Sequence, residues 1–140
     1  MNRSTALVFG VATVLTVATV SHAQTAQRAP VRVGDSPPSM TGGRIDAAVV
    51  TRIVRQNMAR FRLCYDNGLR TNPNLQGRVN VRFIIGVDGA VSRVGHGGNS
   101  TMPDQGVLSC VVRAFNGLSF PRPQGGEVTV VYPVNFAPGA

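Results

Sequence analysis

The chain has 140 residues, of which 43% are hydrophobic and 14% are charged, a composition typical of one globular domain. Its 14 basic residues are all arginine and are accompanied by only 6 acidic residues, so the net charge of +8 predicts attraction to anionic surfaces. Six acids and one histidine beyond residue 23 do not supply the paired carboxylates, triad or cofactor loop of an enzyme. We therefore expect no catalytic activity, cofactor or small-molecule substrate.

The N-terminal residues have the layout of a secretory signal peptide. Arg3 precedes the uncharged stretch 6–20, and Ser21-His22-Ala23 then places small residues at the two positions that a signal peptidase reads. The apolar run is shorter than the roughly 20 residues of a membrane span. We predict cleavage after Ala23 and a periplasmic location, with an inner-membrane anchor formed by an uncleaved signal as the alternative. Export argues against nucleic acid as the partner.

Residues 24–43 are rich in Pro, Gly, Ser and Thr and show no sustained apolar period. This composition predicts a flexible linker. The globular domain is then expected to comprise residues 44–138.

Asp46 predicts the start of the first helix, because its carboxylate can cap the backbone N–H groups that follow. The apolar residues that recur at helical spacing and form its buried stripe are Val49, Val50, Ile53, Val54, Phe61, Cys64 and Tyr65. The opposite side carries the arginines at positions 44, 52, 55, 62 and 70. Asn72 precedes a proline, which disfavours helical conformation and predicts the end of this single helix. Gly68 is expected to be a weak point within it.

The apolar period then changes to two. Residues 79–85 alternate between apolar and polar positions, which predicts a strand with one buried face. Asp88-Gly89 is a hairpin turn signal, and residues 90–94 are expected to return as a second strand.

Pro103 and Asp104 predict the start of a second helix. Its expected buried side consists of Val107, Leu108, Val111, Ala114, Phe115 and Leu118, with Cys110 at the rim. Residues 127–136 alternate again and predict a third strand. Pro133 cannot donate a ladder hydrogen bond, so we expect this strand at an edge of the sheet.

Together these elements predict an α+β fold in the order helix, strand, strand, helix, strand. We expect a three-stranded antiparallel sheet in which the last strand lies beside the first, with both helices on one face.

Cys64 and Cys110 allow four interpretations: a nucleophile, metal ligands, a disulfide or two free buried thiols. A nucleophile needs a base, and nothing in the sequence places His96 near Cys64. Two cysteines and one histidine lack the short paired spacings of a zinc site. An oxidising compartment, an even cysteine count and positions on the buried sides of two helices favour a Cys64–Cys110 disulfide.

Several motifs in residues 45–136 resemble the AgmX/PglI C-terminal domain family, which is named after gliding-motility proteins. The motifs that carry the resemblance are Cys64-Tyr65, Asn72-Pro73 with Leu75 and Gly77, Asp88-Gly89, Cys110-Val111, Phe120-Pro121 with Pro123, and Tyr132-Pro133. That family is similar to the TonB C-terminal domain. The resemblance implies a TonB C-terminal-like fold and a periplasmic module that binds extended peptides along a strand edge.

Two functions follow as expectations. The first is capture of an extended segment of an envelope, motility or transport protein by strand addition. The residues of the expected binding edge are Glu127, Val128, Thr129, Val130, Val131 and Tyr132. The alternative is electrostatic binding of an anionic envelope surface through a basic helix face formed by Arg52, Arg55 and Arg62. A homodimer formed by strand exchange is also left open.

Overall fold

A computed structural model describes Gly10, the backbone of β1 (Val31–Val33) and residues 37–138. Apart from Gly10, the predicted signal peptide lies outside the described residues. The further elements, in chain order, are β2 (Ser39–Arg44), α1 (Ala47–Gln56), α2 (Met58–Thr71), β3 (Gly77–Ile85), β4 (Val91–His96), α3 (Gln105–Ala114), a 3-10 helix (Phe115–Gly117) and β5 (Gln124–Phe136). The α+β class and the antiparallel pairing of the last strand with the first predicted strand, β3, are confirmed.

The sheet is larger than predicted. β5 pairs with β3 on one side, and β3 pairs in turn with the hairpin strand β4. On its other side β5 pairs with both β1 and β2, which lie one after the other along the same edge. The sheet is therefore four strands wide, and the prediction that the last strand lies at an edge is wrong.

The reason lies in where Pro133 falls in the ladder. Asn80 lies opposite Pro133, but its carbonyl accepts from Gly97 and its N–H donates to Ser100, both on the far side of β3. The nitrogen of Pro133 must therefore point away from β3. It faces the interval between β1, which ends opposite Val134, and β2, which begins opposite Val131. A proline thus sits inside the sheet at a place where no N–H is needed.

The predicted linker is partly structured. β1 and most of β2 fall within residues 24–43, and β2 runs antiparallel to β5 from Ser39 opposite Val131 to Arg44 opposite Gln124. Only two residues then separate β2 from α1, where the Asp46 carboxylate accepts the Ala48 N–H at 2.8 Å as the predicted cap.

The first predicted helix is in fact two. Asn57 has φ −103° and ψ 12°, outside helical geometry, and separates α1 from α2. Its side-chain amide donates to the carbonyl oxygen of Ile53 at 2.8 Å. An asparagine side chain that competes for backbone partners in this way favours a helix end over a helix interior.

One core lies between the helices and one face of the sheet. This core contains every second residue of β3 and β5 and the apolar side chains of the helices that face the sheet. Gly68, the predicted weak point, is instead buried within α2, where an added Cβ would lie 2.5 Å from Val107 of α3. The absence of a side chain therefore lets α2 and α3 approach closely.

Candidate binding site

The predicted binding edge lies in the middle of the sheet. Val128, Val130 and Tyr132 are fully buried in the core, so their side chains are not available to a partner. Thr129 and Val131 alternate with them and direct their backbone groups away from β3, as Pro133 does two residues later. Those groups meet β2, in which Thr41 lies opposite Thr129 and Ser39 opposite Val131.

The regular ladder between β2 and β5 has a defined limit at each end, although one further pair, Arg44 with Gln124, follows the bulge. Pro133 provides no N–H beyond Val131. At the other end Gly125 and Gly126 have φ of +76° and +114°, which interrupts the regular extended backbone. Residues 127–131 are thus the regular stretch between these limits, and we call them the acceptor segment.

β2 is held mainly by its main chain. Ser39, Thr41, Gly42 and Arg44 are exposed, and only Met40 packs its side chain against the core. Since few apolar groups of β2 are buried, backbone hydrogen bonds account for most of its attachment to β5.

Two glycines allow this attachment. A Cβ added at Gly42 would lie 2.6 Å from the carbonyl oxygen of Glu127. One added at Gly43 would come within 2.2 Å of the carbonyl oxygen of Gly126. The register shifts between Gly42 and Arg44, so the two backbones come closest at a bulge where a side chain has no room.

The opposite border of the sheet is β4. Ala90, just before it, bridges Ser119, and the N–H of Phe120 donates to the carbonyl oxygen of Gly89, so Ser119 and Phe120 cover the start of this edge. Exposed Arg93 lies within the strand, and charged side chains discourage edge pairing. The β4 edge is therefore a poorer acceptor than β5.

The predicted basic face is divided between two helices. Arg52 and Arg55 lie exposed on α1, whereas Arg62 belongs to α2 and is half-buried. The Nε atom of Arg62 is buried and has no hydrogen-bond partner. The described residues that line an open hollow of about 490 Å³ on α1 are Ala48, Thr51, Arg52, Arg55 and Gln56. The structure thus groups Arg52 with Arg55 and leaves Arg62 elsewhere.

Tyr132, a residue of the predicted edge, lies near Thr51 and Arg55, two of the residues that line this hollow. Its side chain is fully buried, and its hydroxyl has no partner in hydrogen-bonding geometry. Burial raises the pKa of Tyr132, while the nearby Thr51 hydroxyl and Arg55 act in the opposite direction. Thr51 is therefore close enough to influence the phenol without meeting the geometry of a full hydrogen bond.

The cysteine pairing is confirmed. The Sγ atoms of Cys64 and Cys110 lie 2.04 Å apart, and their Cα atoms 5.6 Å apart, so the disulfide joins α2 to α3. Cys64 is only 4% exposed, whereas His96 lies exposed at the end of β4. Each sulfur is thus bonded to the other and serves a structural purpose.

β2 is a part of the site that the sequence does not predict. Its signal was weak, because a single apolar residue, Met40, stands among small and polar ones in the stretch "SMTGGR". A pair of glycines after such a stretch is also typical of a linker, and the sequence therefore predicts a linker here.

Comparisons with protein-family models, with curated proteins and with solved structures find no match to this chain. In the described part of the chain no helix has the length and apolar content for a membrane crossing. Nor do three or more His, Cys, Asp or Glu side chains come together there as metal ligands would. The resemblance to the AgmX/PglI family therefore stays a prediction.

Proposed function

We propose that this chain is an exported, non-enzymatic interaction module of the cell envelope that binds an extended segment of a partner protein by strand addition. The observation that supports this most directly is the pairing of β2 with β5. The β5 edge already holds an extended segment of the chain, mainly through backbone groups. The same row of N–H and C=O groups suits a strand from another protein.

The cellular setting of the proposal comes from the sequence. The signal-like residues 1–23 support export to the periplasm, and the motifs shared with the AgmX/PglI family support an envelope partner in motility or transport. A fold of this kind carries many functions, so the proposal depends on the sheet edge.

N-methylated peptides test the proposal. Peptides selected on the full chain from a displayed random library are resynthesised with one backbone amide methylated at a time. Strand addition requires that methylation of every second amide weakens binding, by up to about tenfold for each lost hydrogen bond. Methylation of the intervening amides should leave the affinity nearly unchanged. Equal sensitivity at all amides, or at none, overturns strand addition.

A second candidate function is electrostatic binding of an anionic surface. The hollow that Arg52 and Arg55 share favours it, because no carboxylate is among the described residues that line this hollow. Vesicles containing an anionic phospholipid serve as the probe, and added salt should release the protein steeply. Replacing Arg52 and Arg55 by glutamine should weaken binding more than the same replacement of exposed Arg70 and Arg113. Equal weakening would indicate attraction by net charge alone.

A further inference from the structure

We infer that a partner segment binds by replacing β2 on the acceptor segment, and that it carries glycine where β2 carries Gly43. This inference rests on the proposed function and adds to it the place and the side-chain chemistry of the partner. It makes β2 an internal competitor that occupies the binding edge until a better-matched strand displaces it.

The limited attachment of β2 supports replacement. Releasing β2 uncovers one core-packed side chain, Met40, while the rest of the strand is exposed or small. Val128 and Val130 of β5 are fully buried in the core, and β3 pairs with them on the side away from β2. The domain can therefore release β2 without dismantling its core.

Addition outside β2 is less well supported. The backbone groups of Met40 and Gly42 face outward, because those of Ser39 and Thr41 face β5. The bulge between Gly42 and Arg44 interrupts this outer edge after only a few residues. β5, in contrast, keeps an unbroken register with β3 from Val128 to Phe136 and so presents a straight acceptor.

The acceptor segment sets the pattern of the partner. Opposite Val130, the position of Met40, a side chain points towards the core and should be apolar. Opposite Thr129 and Val131 the side chains point to the face of the sheet away from the core, where polar residues are tolerated. At the place of Gly43 a Cβ would overlap the carbonyl oxygen of Gly126, so glycine is required. Because the regular part of β5 ends at Pro133 on one side and at Gly126 on the other, the partner can pair with it over about five or six residues.

A labelled peptide with the sequence of residues 38–45 (PSMTGGRI) is the probe, and its binding to the full chain is measured by fluorescence anisotropy. Gly43→Ala in the protein weakens β2 while the peptide keeps its glycine. Because apparent affinity rises with the fraction of open edge, we expect at least about tenfold tighter binding than to the wild type. Gly95→Ala, whose Cβ meets nothing within 4 Å, is the matched control and should bind like the wild type. A peptide with alanine at the Gly43 position should bind about tenfold more weakly.

Amide exchange on the wild-type chain with saturating peptide gives a readout that does not depend on a variant. Replacement requires Ser39 and Thr41 to lose protection while Thr129 and Val131 keep it. If Met40 gains protection, or if Gly43→Ala weakens binding, the peptide adds outside β2; replacement is then wrong and strand addition stands. If Gly43→Ala releases β2 and the peptide still does not bind, the acceptor segment does not capture extended chains and the proposed function fails at this edge.

Discussion

The hydroxyl of Tyr65 donates a hydrogen bond to the backbone carbonyl oxygen of Leu75 inside the core, whereas the equally buried hydroxyl of Tyr132 has no partner. Tyr65→Phe leaves a buried carbonyl unsatisfied and should lower the free energy of unfolding by about 1–3 kcal/mol. Tyr132→Phe removes an unpaired polar group and should be neutral or stabilising. Urea unfolding of the two variants measures both effects, and each serves as the control for the other. Equal destabilisation by both would contradict this assignment.

Alkaline pH should unfold the protein through the same two tyrosines. Burial raises the pKa of Tyr65, with a smaller contribution from the nearby charge of Asp66, and burial also raises the pKa of Tyr132. The folded state therefore keeps phenol protons that the unfolded chain releases above its ordinary tyrosine pKa of about 10. Stability should be complete below that pH and fall as the pH rises towards the folded-state pKa values.

Tyrosinate absorbance follows this process cleanly, because the chain has two tyrosines and no tryptophan. We expect the absorbance to rise together with loss of the far-ultraviolet circular dichroism signal. Ionisation of both tyrosines near pH 10 in a chain that stays folded would show that burial does not hold their protons.

The disulfide should contribute a large share of stability. It spans a sequence separation of 46, for which the chain-entropy model gives about 4 kcal/mol. Reduction of the wild-type chain should lower its free energy of unfolding by about this amount, measured by urea denaturation with and without reductant. A Cys64→Ala, Cys110→Ala chain is the control and should not respond to reductant. Thiol titration of the unfolded, unreduced chain should find no free thiol, and two would disprove the cross-link.

Gly68→Ala should destabilise the domain although alanine favours helices. The new Cβ would lie 2.5 Å from Val107 and 2.6 Å from Leu75, and such overpacking typically costs about 1–3 kcal/mol. The gain in helix propensity is at most about 1 kcal/mol. In a double-mutant cycle, Val107→Ala should relieve part of the cost, because it removes one of the two contacts. Strict additivity of the two changes would show that Gly68 does not set the helix spacing.

The sequence was sufficient to predict the elements that depend on residues close together in the chain, such as a helix cap or a hairpin turn. Asp104 caps α3 by accepting the Val107 N–H at 3.0 Å, and the turn through Gly89, at φ +88°, leads into β4 as the hairpin signal predicts. The disulfide could also be predicted from the sequence, because helical periodicity places both cysteines over the same sheet face.

The wrong predictions have two causes: a local side-chain bond breaks the first helix, and strands distant in sequence cover β5. Asn57 ends α1 through a bond to Ile53, and the apolar stripe continues across the break, so periodicity did not reveal it. Pro133 was expected at an edge because proline lacks an N–H, a rule that is correct in itself. The sequence could not show that β1 and β2 both pair with β5 and leave the position of Pro133 uncovered between them. The divided basic face follows from the same break at Asn57.

The disulfide also determines how the chain would respond to tension. The covalent ring from Cys64 to Cys110 contains β3 and β4, whereas β2 and β5 lie on the two tails outside it. Val31 lies opposite Phe136, so β1 and β5, the first and last strands that the structure describes, have their outer ends at the same end of the sheet. A pull on the two outer ends of these strands would peel β1 and β2 from β5 one hydrogen bond at a time. While the disulfide is intact, the residues inside the ring cannot be extended, and they correspond to about 150 Å of contour length. We expect single-molecule stretching to show low-force peeling first, and an extra length of that size only after reduction.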